Sequence, residues 1–149
     1  MLDQPRHILF FAEAVTLAHI ARCITLAKEL HNSGNYLITI AVDHRYDEII
    51  GSLPFPRVPL YSIPSQYFAN KLAQGLPIYS VQTLTDYVNE DLRIMDEIKP
   101  DFIIGDFRLS LAISSRIKKI PYATITNAYW SPYANIEYPI PEMPLTKIF

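Results

Sequence analysis

An uninterrupted apolar run near the start of the chain, Ile8-Leu9-Phe10-Phe11, constrains the fold more than any other feature. Such a run is typical of a strand that is buried on both faces, so we predict a strand from His7 to Ala12. Apolar residues then recur at helical spacing and predict a helix from Leu17 to Ser33, which Gly34 ends. A doubly buried strand followed at once by an amphipathic helix indicates a parallel sheet covered by helices.

The same alternation continues along the chain. We predict further strands at Tyr36 to Val42, Val58 to Ile63, Phe102 to Gly105 and Tyr122 to Thr126, and helices at Ser80 to Ile98 and Leu109 to Lys119. Between them, Asp43 to Gly51 forms a short helical turn, and Pro64 to Leu76 is ambiguous between helix and loop. Alternating strands and helices predict an α/β fold, a Rossmann-like parallel sheet with helices on both faces and strand order 3-2-1-4-5.

The regular alternation ends near residue 127. We predict one Rossmann-like domain over residues 1–127 and an extended tail, rich in proline and aromatic residues, over residues 128–149. A chain of 149 residues fits one domain of ordinary size. Because the tail ends without a capping helix, we expect either a piece of a longer protein or a natural half that pairs with another chain.

Composition argues against several classes of function. A net charge of -2 and a pI near 6 leave no basic footprint for nucleic acid. Cys23 is the single cysteine, which excludes a disulfide framework and a zinc site built on several cysteines. The start of the chain lacks the apolar core of a signal peptide, and no apolar run approaches the roughly 20 residues that span a bilayer. We therefore expect a cytoplasmic protein without a metal.

The turn after the first strand lacks the glycines of a dinucleotide-binding loop. No glycine occurs before Gly34, and Glu13 places a negative charge where phosphates would lie. We therefore expect no nucleotide cofactor in this chain. Asp43, after the second strand, is able to imitate the acidic residue that holds a ribose, but without the glycines a role in the turn is the stronger interpretation.

Two polar residues fall where the strand order reverses, which is where ligands bind in an open parallel sheet. His19 lies in the first helical turn, if Thr16 is the N-cap, and Asp106 follows strand four. A helix N-terminus favours a neutral histidine, as a general base must be, while a nearby carboxylate orients the ring and stabilises its protonated form. Alternatively, His19 is solvated beside Arg22 and Thr25, and Asp106 only caps a helix or ends a strand.

Other polar and aromatic residues support weaker hypotheses. Three histidines lack metal-site spacing and fit solvated positions: His7, His31 and His44. Three serines lack the glycines of a nucleophile elbow, which argues against a serine hydrolase: Ser110, Ser114 and Ser115. Three aromatic residues of the tail either line an apolar ligand pocket or fasten a crossing segment onto the sheet: Tyr129, Trp130 and Tyr133.

Two sequence motifs surround His19 and Asp106. The first is Ala18-His19-Ile20-Ala21-Arg22, followed by Leu26-Ala27-Lys28-Glu29-Leu30 and Gly34. The second is Lys99-Pro100-Asp101, an apolar strand that ends in Asp106, a short helix, and Ile120-Pro121. At these motifs the chain resembles the N-terminal, acceptor-binding half of GT-B glycosyltransferases of the macrolide and UDP-glucuronosyl type. Two positions depart from that pattern, because Ala18 replaces the usual glycine and Arg22 the usual proline.

The resemblance implies an inverting sugar transferase in which His19 deprotonates the acceptor hydroxyl and Asp106 supports it. The acceptor, a small molecule or a lipid-linked molecule, is then expected to contact four residues: Phe107, Asn127, Tyr129 and Trp130. A nucleotide-sugar donor would belong to a second, C-terminal domain that this chain lacks, in the same polypeptide or in a separate subunit. Two alternatives stay open, a non-catalytic flavodoxin-like binding or interaction module and half of a sugar-nucleotide epimerase.

Overall fold

A five-stranded parallel sheet forms the centre of the molecule, in the order β3-β2-β1-β4-β5. The structure, a computed structural model, describes residues 5–128 and 133–135. The strands are β1 (Arg6–Ala12), β2 (Tyr36–Val42), β3 (Arg57–Pro59), β4 (Phe102–Asp106) and β5 (Tyr122–Ile125). The predicted strand order is confirmed, and β1 lies between β2 and β4, where the order reverses.

In the part of the chain that the structure describes, five α-helices connect the strands. They are α1 (Leu17–Asn32), α2 (Asp47–Ile50), α3 (Ser65–Ala73), α4 (Val81–Ile98) and α5 (Leu111–Lys118), and a 3-10 turn, His44–Tyr46, precedes α2. The stretch that was ambiguous from sequence contains α3, which has no buried residue. Gly34 follows α1 with a φ of +73°, a conformation that glycine adopts more readily than other residues.

Successive residues of β1 pack into two different cores, which is why the strand is apolar throughout. Phe10 packs with the buried face of α1, including Ile20, in the core on one side of the sheet. Leu9 and Phe11 pack with residues of α4 and α5 on the other side, among them Ile94. The prediction of helices on both faces is therefore confirmed, and β1 is held firmly at the middle of the sheet.

The third strand is shorter than predicted and begins one residue earlier. It pairs with β2 over only three residues, from Arg57 to Pro59, because β2 itself ends at Val42. Leu60 makes one more backbone contact to β2, after which the N–H of Tyr61 donates to the carboxylate of Glu90 on α4. The stretch up to Ile63 therefore turns away from the sheet instead of extending it.

Most of the predicted tail lies outside the described residues, which include only 133–135 beyond residue 128. The boundary at residues 127 and 128 therefore stays a prediction. In the described part of the chain, no helix has both the length and the apolar character needed to cross a membrane.

Candidate active site

His19 and Asp106 meet at the carboxyl end of the sheet. His19 is in the first turn of α1, and Thr16 occupies the N-cap position without a capping hydrogen bond from its side chain. Asp106 is the last residue of β4 and lies beside Ala12 of β1, so parallel pairing brings it to the start of α1. The predicted juxtaposition is confirmed, with the two side chains in direct contact.

A hydrogen bond joins the His19 ring to the Asp106 carboxylate, with 2.8 Å between Nδ1 and Oδ1. Only 13% of the His19 side chain and 1% of the Asp106 side chain is exposed. The interpretation of His19 as a freely solvated residue is therefore wrong. Two unprotonated acceptors at that distance would repel each other, so we assign the proton to Nδ1, where it is donated to Asp106.

Arg22 completes the cluster, and sequence reasoning considered it only as a neighbour of His19. Its Nε donates to Oδ2 of Asp106 and its Nη2 donates to Oδ1, both at 2.7 Å. Its Nη1 donates to Oδ1 of Asn127, also at 2.7 Å, and Nη2 lies 2.9 Å from Nδ1 of His19. The spacing of three residues between His19 and Arg22 on α1 was the available signal, because such residues share one helix face.

Phe107 covers the imidazole. Its ring stacks on that of His19 with 4.7 Å between centroids and 17° between planes, and Phe68 of α3 meets its edge. Phe107 has a φ of 60°, in the left-handed region that a bulky residue rarely adopts. The neighbours on both sides are held by hydrogen bonds, since the Asp106 carbonyl accepts from the N–H of Glu13 and the Arg108 side chain is fully engaged. These contacts stabilise the unusual backbone conformation that places the ring.

A cavity of about 580 Å³ lies next to the cluster. The cavity is lined by His19, Arg22 and Asp106, by Phe68 and Phe107, and by residues of α5 and β5. Its walls are mostly apolar, which suits an organic ligand with a polar group directed to the histidine. A second cavity, of about 670 Å³, lies beside β2 and β3, and neither His19 nor Asp106 lines it.

Arg108, another residue that lines this cavity, binds a set of buried carboxylates. Its guanidinium contacts Glu13 and Asp91, both fully buried, at 3.0 Å, and Glu90 at 2.9 Å. It also lies over the ring of Tyr87, 3.6 Å from the centroid. Burial raises the pKa of the Glu13 carboxyl and of the Asp91 carboxyl, an effect that the positive charge of Arg108 opposes.

The charge of Glu13 does not face a ligand, contrary to the prediction. Its carboxylate turns inward to Arg108 and also accepts a hydrogen bond from Tyr87. Two backbone N–H groups of this turn are engaged as well, because Glu13 donates to the carbonyl of Asp106 and Ala14 to the hydroxyl of Ser62.

The remaining predicted residues are placed as follows. Asn127 and Phe107 both line the cavity. Asn127 also accepts a hydrogen bond from Arg22. Tyr129 and Trp130 lie outside the described residues. Tyr133 is 93% exposed, and its two interpretations, as part of a ligand pocket or as a residue that fastens the tail to the sheet, stay predictions.

Asp43 takes the turn role that was favoured from sequence, because its carboxylate accepts from the backbone N–H and the guanidinium of Arg45. These bonds lower its pKa, although burial acts in the opposite direction. Among residues 5–128 and 133–135, no three His, Cys, Asp or Glu side chains are grouped so as to hold a metal ion.

Comparison with known proteins identifies relatives of this chain, although no protein-family model matches it. A PGL/p-HBAD biosynthesis rhamnosyltransferase of Mycobacterium bovis (strain BCG / Pasteur 1173P2) is 48% identical over 144 residues, which are 97% of this chain and 32% of that protein. An inactive PGL/p-HBAD biosynthesis glycosyltransferase of the same strain is 44% identical over 97% of this chain and 39% of that protein. Medicago truncatula UGT71G1 complexed with UDP-glucose shares the fold, with a TM-score of 0.60 and 17% identity over 83% of this chain and 29% of that chain. The chain is thus similar to part of these glycosyltransferases, and it shares the Rossmann-like fold of a GT-B domain.

The chain spans about a third of the length of the curated relatives it matches. Its two departures from the family pattern have different consequences in the structure. Ala18 is exposed on α1 and leaves the helix start regular. Arg22, in contrast, is bonded to Asp106 and Asn127 and contacts His19, so this departure changes the charge of the site itself.

Proposed function

We propose that this chain is the acceptor-binding part of an inverting glycosyltransferase, which transfers a sugar from a nucleotide-sugar donor to an acceptor hydroxyl. The observation that carries the proposal is the hydrogen bond of 2.8 Å between His19 and Asp106 at the edge of the largely apolar cavity. A histidine oriented by a buried carboxylate is a common arrangement for a general base.

The assigned tautomer gives each ring nitrogen a separate task. Nδ1 of His19 carries the proton that is donated to Asp106, so Nε2 holds the lone pair that accepts a proton from the substrate. The carboxylate keeps the ring in this orientation and stabilises the imidazolium that forms. The stacked ring of Phe107 restricts rotation of the imidazole and covers one of its faces.

The reaction is a displacement at the anomeric carbon. The acceptor oxygen forms a bond to that carbon while the bond from the carbon to the diphosphate oxygen breaks, and the leaving nucleoside diphosphate takes the electron pair. The hydroxyl proton passes to Nε2 of His19. Attack opposite the leaving group inverts the configuration of the anomeric carbon.

The acceptor has an apolar body and one reactive hydroxyl, because the cavity walls are mostly apolar and include the polar cluster of His19, Arg22 and Asp106. Both a small molecule and a lipid-linked molecule meet this description. Asn127 and Phe107 line the cavity and are proposed to contact the acceptor, as are Tyr129 and Trp130. The name of the 48% identical relative makes rhamnose the first sugar to test as the transferred group.

The donor is proposed to bind in a second domain, supplied by the same polypeptide or by another subunit. This is consistent with relatives about three times as long as the chain, and with the β1–α1 turn, whose Glu13 and Ala14 N–H groups are already bonded. We propose no cofactor in this chain, and we place the enzyme in the cytoplasm.

The test uses the complete natural polypeptide that contains this chain. Nucleoside diphosphate rhamnose and other nucleotide sugars are supplied with a panel of aromatic and aliphatic alcohols, and glycoside formation is measured. His19→Ala should lower kcat by about 10²–10⁴-fold, the usual contribution of a positioned base. His44→Ala, which removes an exposed histidine, is the matched control and should leave turnover unchanged.

Two results would overturn the proposal. Turnover that survives His19→Ala would mean that His19 is not the base. If the unaltered protein transfers no sugar but still binds the alcohols, the chain serves as a non-catalytic binding module, and the existence of an inactive relative gives that outcome a precedent.

A further inference from the structure

The side chain of Arg22 makes more contacts within the site than its position on an exposed helix face requires. Its three nitrogen atoms reach three different residues: Asp106 through Nε and Nη2, Asn127 through Nη1, and His19 through Nη2. About a third of the side chain, 32%, is exposed, and the exposed part lines the cavity. An arginine that only formed a surface ion pair would not contact both His19 and Asp106 and also line the cavity.

The pairing between Arg22 and Asp106 is the bidentate geometry in which arginine binds carboxylates most strongly. Both N···O distances are 2.7 Å, and Asp106 is almost fully buried. A buried carboxylate is costly unless a cation or several hydrogen bonds compensate it. His19 supplies one hydrogen bond, and Arg22 supplies two together with the compensating charge.

This arrangement changes what Asp106 does to His19. An unpaired carboxylate would strongly favour the protonated imidazole, because opposite charges at this distance attract. Here the guanidinium offsets part of the charge of Asp106, and its own positive charge, with Nη2 2.9 Å from Nδ1, opposes a second positive charge on the ring. Arg22 therefore favours the neutral histidine that a general base needs.

Other charged groups near the site are already paired among themselves. Arg108, after β4, is bound to Glu13 from the β1–α1 turn and to Asp91 and Glu90 from α4. Phe68 of α3, Phe107 and Asn127, which face the same cluster, are uncharged. Among the described residues, the direct ionic neighbours of His19 are thus Arg22 on α1 and Asp106 on β4.

We propose that Arg22 is a positioning residue that keeps His19 neutral and fixes the carboxylate that orients it. The proposal rests on the proposed function of His19 as base. It assigns a role in the reaction to a position where the family pattern has proline, whose side chain has neither a charge nor a hydrogen-bond donor. Arg22 need not touch the acceptor in this role, since it acts through Asp106 and His19.

The experiment compares Arg22→Gln, Arg22→Lys and the control Arg93→Gln in the complete natural polypeptide. Arg93 is also a helix arginine, but its ion pair with Glu97 is exposed and lies outside the candidate site. Loss of the positive charge in Arg22→Gln stabilises the imidazolium, so the neutral base forms only at higher pH. The acidic limb of the kcat/KM profile should therefore move to higher pH. Arg22→Lys keeps the positive charge but loses the two parallel hydrogen bonds of the guanidinium to Asp106. The acidic limb of its kcat/KM profile should therefore stay near that of the unaltered enzyme, while kcat falls.

A second readout needs neither donor nor acceptor. ¹⁵N NMR of histidine-labelled protein, with His19 assigned through His19→Ala, follows the tautomer and the protonation of the ring directly. The same upward shift is expected for Arg22→Gln and no shift for Arg93→Gln. The folded Arg22→Gln variant could instead match the unaltered protein in both the NMR titration of His19 and the dependence of kcat/KM on pH. Arg22 would then have only a structural role, whatever the turnover of the variant. A protein that shows the shift but transfers no sugar would contradict the proposed function and leave the charge relationship established.

Discussion

Nδ1 of His19 lies 2.8 Å from a carboxylate oxygen of Asp106, although 87 positions separate the two residues in the chain. The contact follows from the sheet topology. β1 and β4 are adjacent and parallel, so the residue that ends β4 arrives beside the helix that begins after β1. The proposed base and its proposed orienting group are therefore joined at the point where an open parallel sheet ordinarily binds ligands.

Replacement of the orienting carboxylate should impair turnover while leaving the fold intact. Asp106→Asn removes the charge that stabilises the imidazolium and presents an amide that favours the opposite ring tautomer. We expect kcat to fall by about 10²–10⁴-fold, as much as for His19→Ala or less. Steady-state kinetics of the complete polypeptide check this, with Asp96→Asn as the control for loss of an exposed carboxylate. Unchanged turnover in the Asp106 variant would exclude the pair as the catalytic base.

Loss of the stacked ring should weaken both binding and chemistry. Alanine at position 107 must adopt the same positive φ as Phe107, so the change in kinetics of Phe107→Ala comes from loss of the ring and not from the backbone. An aromatic pair contributes about 0.5–1.5 kcal/mol, so kcat/KM should fall by roughly 2–10-fold, with a higher KM for the acceptor. Tyr67→Ala on α3 removes an aromatic ring that does not line the cavity and should change neither constant. Equal kinetics for the two variants would contradict this role.

The Arg108 cluster should be necessary for the stability of the sheet. Arg108→Met leaves Glu13 and Asp91 buried without their cation, which destabilises a protein by about 3–5 kcal/mol. Hydrogen exchange of amides in β1 and β4 measures this loss. Arg93→Met, which breaks an exposed pair, should change the free energy of opening by no more than about 0.5 kcal/mol. Similar protection in both variants would mean that the buried cluster contributes little.

The same cluster predicts how stability depends on pH. Burial raises the pKa of the Glu13 carboxyl, against the opposing charge of Arg108. In the pH range between its unfolded and folded pKa values, the folded state then binds more protons than the unfolded state. The contribution of Glu13 therefore makes the free energy of unfolding fall as pH rises above 4.5, the ordinary pKa of this group, by up to about 1.4 kcal/mol per pH unit.

Glu13→Gln tests this relationship, because an amide does not titrate. Urea denaturation at several pH values from 5 to 8 should show a free energy of unfolding that declines less steeply with pH in the variant than in the unaltered protein. Glu97→Gln, at an exposed position on α4, serves as the control and should retain the original slope. A slope that is the same in all three proteins would show that Glu13 has equal pKa values in the folded and unfolded states.

Local sequence patterns determined the parts of the fold that depend on which residues avoid water. The apolar run of β1 and the helical spacing of α1 identify these elements almost to the residue, and their alternation with later elements gives the strand order. Because parallel strands align their carboxyl ends, the order alone brought His19 and Asp106 together. The end of β3 was misplaced, since its length depends on where β2 stops offering hydrogen bonds.

Only the tertiary structure decided how the charged side chains pair. Nothing in local periodicity shows that Glu13 turns inward to Arg108, or that Arg22 binds Asp106 and Asn127. Periodicity reports whether a position faces water, whereas an ion pair depends on distances of a few ångströms between residues remote in sequence. Which cation pairs with which carboxylate is therefore fixed only when the sheet has assembled.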